Sequence, residues 1–157
     1  MRELELRRTT ETQSPHRQPH LAPRPQRSVN ILIVEDYDNL RHILHRALEG
    51  NGFSVLPAAE STEALRLCQQ QNRTIDLVVS DIVMPGLDGL ELSQRIRAAR
   101  PEMKFLFITG YGDHFPELGE LISSGAAFLE KPFLPSEFLR QVEVTLNPGN
   151  AATGTEA

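Results

Sequence analysis

The sequence predicts an α/β fold, a doubly wound parallel sheet of five strands with helices on both faces. Short apolar segments alternate with segments of helical periodicity along the chain. Such alternation implies right-handed crossovers between parallel strands, which places helices on both faces of the sheet. The length of 157 residues and the hydrophobic content of 39% fit one domain with one core.

The first third of the chain predicts a strand, a helix and an edge strand. Val29–Val34 is almost wholly apolar and β-branched, which is typical of a strand covered on both faces. Apolar residues then recur at helical spacing from Leu40 to Leu48, and Gly50 predicts the helix end. Phe53–Ala58 is the second strand. It contains Pro57, which cannot donate to a ladder, so we expect it at a sheet edge.

The middle of the chain predicts two helices around a third strand. Ser61 is the expected N-cap of a helix with Ala64, Leu67 and Cys68 on its buried face. Leu77–Ser80 is the third strand. Asp88, with Glu91 three residues later, predicts the capped start of a helix that runs to about Ala99.

The last third predicts two more strands and two helices. Lys104–Thr109 is the fourth strand, and Pro116 is expected to start a short helix that Gly125 ends. The fifth strand is Ala127–Glu130. The final helix extends from about Pro135 to Leu146, with its apolar residues on one face.

Composition divides the chain into one acidic domain and two loose ends. Residues 1–28 contain six Arg, three Glu and four Pro, and we expect a disordered basic arm there. Residues 148–157 are small and polar and are expected to form a disordered tail. The domain between them, residues 29–147, has ten Lys or Arg against 17 Asp or Glu.

The composition also limits the location and the partners. No apolar run is long enough for a membrane helix, and the single cysteine Cys68, expected in the core, favours a reducing, cytoplasmic location. A net charge of −5 argues against nucleic acid as a partner. His42, His45 and His114 are expected at the surface, and Asp38 is a second candidate helix cap.

Five polar side chains stand at or just beyond the predicted strand ends: Glu35, Asp36, Asp81, Thr109 and Lys131. Because the carboxyl ends of parallel strands meet at one edge, we expect these residues to lie together, where such sheets bind ligands. Three close carboxylates repel one another unless they are protonated or hold a cation. Oxygen ligands without Cys or His favour Mg²⁺, and a Lys and a Thr opposite them suit a phosphoryl group.

Four segments carry a resemblance to a known family. They are VEDYD (residues 34–38), SDIVMPGLDG (80–89), IT (108–109) and FLEKPF (128–133). Together they resemble the receiver domain of two-component response regulators, over Val29–Leu146 and over neither end. The resemblance implies a flavodoxin-like receiver fold with strand order 2-1-3-4-5. That order places the second strand at an edge, in agreement with Pro57.

The resemblance also implies a role for each residue of the site. Asp81 resembles the phosphoacceptor, a carboxylate nucleophile. Glu35, Asp36, Asp81 and the backbone carbonyl of Val83 resemble the ligands of Mg²⁺. Thr109 and Lys131 resemble the residues that contact the phosphoryl group.

Further residues resemble the conformational parts of a receiver. Pro132 resembles the residue that follows the Lys in a cis peptide bond, and Thr109 with Phe128 resembles the switch pair. Val83 and Tyr111 lie where the family controls water access to the phosphoaspartate, and their bulk implies slow self-dephosphorylation. The ending from Gly125 to Phe133 is similar to that of receivers in hybrid sensor kinases.

We therefore expect a stand-alone, single-domain response regulator, a phosphoacceptor signalling domain rather than an enzyme with an external substrate. A sensor histidine kinase or a histidine phosphotransfer protein would donate the phosphoryl group, and an unknown downstream protein would receive the signal. Because eleven residues follow Leu146, we expect no effector domain.

Three alternative functions stay open at this point. The chain could be a phosphorelay intermediate that passes phosphate to a histidine phosphotransfer protein. A Mg²⁺-dependent phosphohydrolase of the haloacid-dehalogenase type is less expected, because it needs a second Asp where this chain has Val83. A binding module without turnover is the third alternative.

Overall fold

The computed structural model describes residues 28–70, 74–110, 118–123 and 125–149. Five parallel strands form one sheet in the order β2-β1-β3-β4-β5, as predicted. The strands are β1 (Asn30–Val34), β2 (Ser54–Ala58), β3 (Leu77–Asp81), β4 (Lys104–Thr109) and β5 (Ala127–Glu130). The helices are α1 (Asp38–Glu49), α2 (Ser61–Gln69), α3 (Gly89–Ala99), α4 (Leu118–Ser123) and α5 (Pro135–Leu146). Pro57 lies in the edge strand β2, as predicted.

The core is divided by the sheet into two layers. Because side chains alternate along a strand, Ile31 and Ile33 face one side of the sheet, and Leu32 and Val34 face the other. The first pair packs with buried residues of α1 and α5, and the second pair with buried residues of α2 and α3. Cys68 is buried in the second layer, as predicted. Helices therefore cover both faces of the sheet.

The helix starts agree with the predictions at α3 but not at α1 and α2. At α3, Asp88 is the N-cap, and its carboxylate accepts a hydrogen bond from Glu91 N at 2.8 Å. The prediction of Ser61 as a cap is wrong: it is the first residue of α2, and its Oγ donates to Leu87 O at 2.7 Å. Asp38 likewise does not cap α1 but lies in its first turn, where it pairs with Arg41.

Several predictions concern residues outside the described ranges. These are the basic arm, apart from Ser28, most of the tail, the helix start at Pro116, and the positions of Tyr111 and His114. Within the described ranges, no helix is both long enough and apolar enough to cross a membrane.

The start of α3 lies directly against the end of β3. Gly89 N donates to Ile82 O at 2.9 Å, which draws the two backbones together. A Cβ at Gly89 would lie 2.2 Å from Asp81 O and 2.9 Å from Ile82 Cα, closer than non-bonded atoms can approach. A residue without a side chain is therefore required here, next to the last residue of β3.

We expect the substitution Gly89→Ala to lower the free energy of unfolding by about 1–3 kcal/mol, because the new methyl group would push α3 away from β3. Urea unfolding followed by circular dichroism measures this change. Gly119→Ala in α4 is the matched control, because its Cβ would meet nothing within 4 Å and alanine favours a helix. An equal loss of stability in both variants would contradict the close approach at Gly89.

Candidate functional site

The strand register brings the predicted site residues to one edge of the sheet. In the paired strands Val34 lies opposite Ser80, Asp81 opposite Ile108, and Thr109 opposite Glu130. Glu35 and Lys131 each stand one residue beyond a paired position, so they lie at the same edge as Asp81 and Thr109. The carboxyl ends of β1, β3, β4 and β5 thus form a single row.

Three carboxylates form a cluster at this edge. One oxygen each of Glu35, Asp36 and Asp81 lies within 4.8 Å of the others. Glu35 is 1% exposed and Asp81 is 5% exposed, whereas Asp36 is open to solvent. Two of these acidic groups are therefore removed from bulk water while they face each other.

Lys131 provides the positive charge that faces the two buried acids. Its Nζ donates to Asp81 Oδ2 at 2.7 Å and lies 3.8 Å from Glu35 Oε2. The other oxygen of the phosphoacceptor candidate, Asp81 Oδ1, accepts a hydrogen bond from Val83 N at 3.0 Å. Both carboxylate oxygens of Asp81 therefore have a partner that fixes their direction.

The protonation of Glu35 and Lys131 reflects this mixture of burial and charge. Burial and the nearby negative charge of Asp81 raise the pKa of Glu35 to about 7, although the amide of Tyr37 and the charge of Lys131 act in the other direction. Burial alone would lower the pKa of Lys131. The hydrogen bond to Asp81 and the charges of Asp81 and Glu35 outweigh burial, so that the pKa of Lys131 is raised and it stays charged.

The donor set at this edge fits a hard divalent cation. Glu35 Oε2 is buried and has no hydrogen-bond partner among the described residues, which leaves an acceptor that a cation would satisfy. The three carboxylates outnumber the Lys131 ammonium, and oxygen ligands of this kind suit Mg²⁺. The backbone carbonyl of Val83 as a further ligand stays a prediction.

By strand alternation, Thr109 and Phe128 face the opposite side of the sheet from Asp81. Thr109 is buried, and its backbone oxygen accepts a hydrogen bond from Lys131 N at 2.8 Å. By strand alternation it shares its face with Phe107, whose ring centroid is 5.8 Å from that of Phe128. The peptide bond between Lys131 and Pro132 is cis.

Two residues support the site in ways that the sequence alone did not indicate. Gly89 allows the close backbone approach behind Asp81, and Arg41 Nη1 donates to Glu35 O at 2.8 Å. The only signal for Arg41 was its place in the first turn of α1, near the acidic pair. Gly89 ends the segment SDIVMPGLDG, but that segment did not indicate its role, because the crowding depends on how α3 meets β3.

Known proteins match the chain through this domain. A family model described as the response regulator receiver domain matches residues 31–143. The chain is 38% identical over 106 residues to the sensor kinase CckA of Brucella abortus, which covers 68% of this chain and 11% of CckA. It is 33% identical over 129 residues to the response regulator MprA of Mycobacterium sp. (strain KMS), covering 82% of this chain and 55% of MprA.

A solved structure supports the same assignment. The response regulator protein TrrA from Thermotoga maritima, in complex with Mg²⁺-BeF, has a TM-score of 0.63 and 30% identity. That match covers 75% of this chain and 99% of the TrrA chain, whereas the chain spans about a tenth of CckA and about half of MprA. The family match, the strand order and the relatives agree: the chain belongs to the response regulator receiver domain family.

Proposed function

We propose that this receiver domain accepts a phosphoryl group on Asp81 in a Mg²⁺-dependent reaction. The donor would be a phosphohistidine of a sensor kinase or of a histidine phosphotransfer protein, and the output would be a phosphorylation-dependent protein contact. The observation that carries this proposal is the environment of Asp81. Its carboxylate is buried at a strand end, 2.7 Å from Lys131 and within 4.8 Å of two further acids.

The chemistry assigned to Asp81 is nucleophilic attack on phosphorus. One carboxylate oxygen would form the new P–O bond while the P–N bond to the donor imidazole breaks, and the imidazole keeps the electron pair of that bond. Mg²⁺, when held by Glu35, Asp36 and Asp81, would neutralise charge between the two anions. Lys131, already hydrogen-bonded to Asp81, would then bind an oxygen of the transferred group.

The proposed output begins at Thr109 and Phe128. A phosphoryl group on Asp81 would offer the Thr109 hydroxyl a new acceptor and so favour one of two arrangements of this edge. The ring contact between Phe128 and Phe107 would carry that change to the surface formed by α4, β5 and α5. This layout supports a signalling domain, and it does not favour the phosphohydrolase alternative.

Incubation with acetyl phosphate and Mg²⁺ is expected to add the mass of one phosphoryl group to the wild-type protein, as measured by intact mass spectrometry. Asp81→Asn should show no gain, because an amide does not attack phosphorus. Asp88→Asn is the matched control, because asparagine also caps a helix and Asp88 is exposed. It should be labelled like the wild type.

An unmodified wild-type protein, or labelling that persists in Asp81→Asn, would contradict the proposed phosphoacceptor. The lifetime of the product tests a second part of the proposal. Val83 is exposed two residues from Asp81, where it would shield the acyl phosphate from water. After removal of the donor we expect slow loss of the label, and a half-life of seconds would contradict this role.

The raised pKa of Glu35 predicts that Mg²⁺ binding strengthens as pH rises through about 7, because a proton and the cation compete for the same carboxylate. Without metal, the stability contributed by Glu35 is fully present below its ordinary pKa of 4.5 and is lost as pH rises through about 7. Thermal unfolding with EDTA or with Mg²⁺, between about pH 5 and about pH 8, measures both effects.

Glu35→Gln is the control for this pH dependence, because the amide keeps the shape of the side chain and does not titrate. We expect the midpoint temperature of unfolding in EDTA to fall with rising pH in the wild type and to change less in this variant. Mg²⁺ should raise the unfolding temperature of the wild type most strongly at the higher pH. A Mg²⁺ effect that is equal at all pH values would contradict Glu35 as a ligand.

A second candidate function is a phosphorelay intermediate. It is favoured by the similarity to the sensor kinase CckA and by the ending from Gly125 to Phe133. We expect a relay protein to pass radiolabelled phosphate from Asp81 to the histidine of a phosphotransfer domain within the lifetime of the label. A chase against several such domains, with their His→Gln variants as controls, measures this. If the label is lost only as inorganic phosphate, the relay function is contradicted, and a phosphorylation-dependent protein contact stays the proposed output.

A further inference from the structure

Asp36 occupies an exposed turn, so packing alone does not determine where its carboxylate lies. Hydrogen bonds orient the two peptide groups that flank it. The carbonyl before it, Glu35 O, accepts from Arg41 Nη1 at 2.8 Å. The amide after it, Tyr37 N, donates to Glu35 Oε1 at 3.1 Å. The direction of the Asp36 side chain therefore depends on both bonds.

Arg41 is attached to the same turn by its main chain and its side chain. Its backbone N donates to Tyr37 O at 3.0 Å, which begins the hydrogen bonds of α1. Its guanidinium contacts Glu35 O and also pairs with the exposed carboxylate of Asp38. A guanidinium has several donors in a fixed plane and so can bind both groups at once, which an ammonium does less well.

We propose that Arg41 is a positioning residue of the metal site, which holds the Glu35–Asp36 peptide so that the Asp36 carboxylate faces Glu35 and Asp81. This inference rests on the proposed function, because it assumes that these acids bind Mg²⁺. Without the guanidinium, Glu35 O would lose this partner, and the peptide would turn to find another. Asp36 would then leave the 4.8 Å cluster for part of the time.

The charge of Arg41 and its positioning role predict opposite results. A positive side chain near a cation site repels the cation, so its removal should strengthen Mg²⁺ binding if charge alone matters. If Arg41 orients Asp36, its removal should weaken binding instead. Groups that hold a metal ligand in place are commonly worth roughly 10- to 100-fold in metal affinity. The direction of the change therefore separates the two roles.

The test is a Mg²⁺ titration of the full chain, followed by the NMR signals of the Asp36 and Tyr37 amides. For Arg41→Met we expect the dissociation constant for Mg²⁺ to rise roughly tenfold or more. Arg41→Lys should give an intermediate dissociation constant, because lysine can donate to Glu35 O but has a single ammonium group in place of the planar guanidinium. Arg46→Met, which removes the same charge from the last turn of α1, should bind Mg²⁺ at least as tightly as the wild type.

A second measurement separates positioning from general loss of structure. With acetyl phosphate as donor, the phosphorylation rate of Arg41→Met should approach the wild-type rate at saturating Mg²⁺. The bound metal then stabilises the conformation in which Asp36 faces the other two acids. If Arg41→Met does not fold, Arg41→Lys provides the same comparison. Unchanged or tighter Mg²⁺ binding in both Arg41 variants would overturn this inference alone. Absence of Mg²⁺ binding in the wild type would overturn the proposed metal site and this inference with it.

Discussion

The repulsion between two buried carboxylates, Glu35 and Asp81, is the constraint around which this edge of the sheet is built. Both side chains are almost wholly shielded from bulk water, and the negative charge of Asp81 adds to burial in raising the pKa of Glu35 to about 7. Lys131 compensates part of this charge, mostly at Asp81, and leaves Glu35 Oε2 without a hydrogen bond from the described residues. The protein holds this costly arrangement in place, and a bound cation would relieve it.

Backbone contacts make the arrangement rigid. The amide of Val83 fixes one oxygen of Asp81, and the Ser80 hydroxyl donates to its carbonyl at 2.9 Å. Gly89, the first residue of α3, lies against the same carbonyl group. Because so many of these contacts involve main-chain atoms, the orientation of Asp81 depends on the path of the chain more than on the packing of neighbouring side chains.

The sequence was informative where local chemistry determines the result. Pro57 indicated an edge strand because a residue without an N–H cannot donate a hydrogen bond to a neighbouring strand in any sheet. Asp88 indicated a helix start because its capping hydrogen bond joins residues that are close in sequence. Parallel strands ending in polar residues were sufficient to predict that distant acids meet. Ser61, Arg41 and Gly89 could not be interpreted in this way, because each contacts a group whose position depends on the tertiary fold.

The two faces of the sheet explain how a charge change at Asp81 would reach another surface. By strand alternation, Asp81 and Lys131 continue the layer of Val79 and Leu129, whereas Thr109 continues the layer of Phe107. The two layers are joined at the edge, where Lys131 N donates to Thr109 O. The residue whose ammonium would bind the new anion is therefore hydrogen-bonded through its backbone to the strand that carries Thr109. In the proposed function, the signal would cross from one face to the other through this backbone bond as well as through the Thr109 hydroxyl.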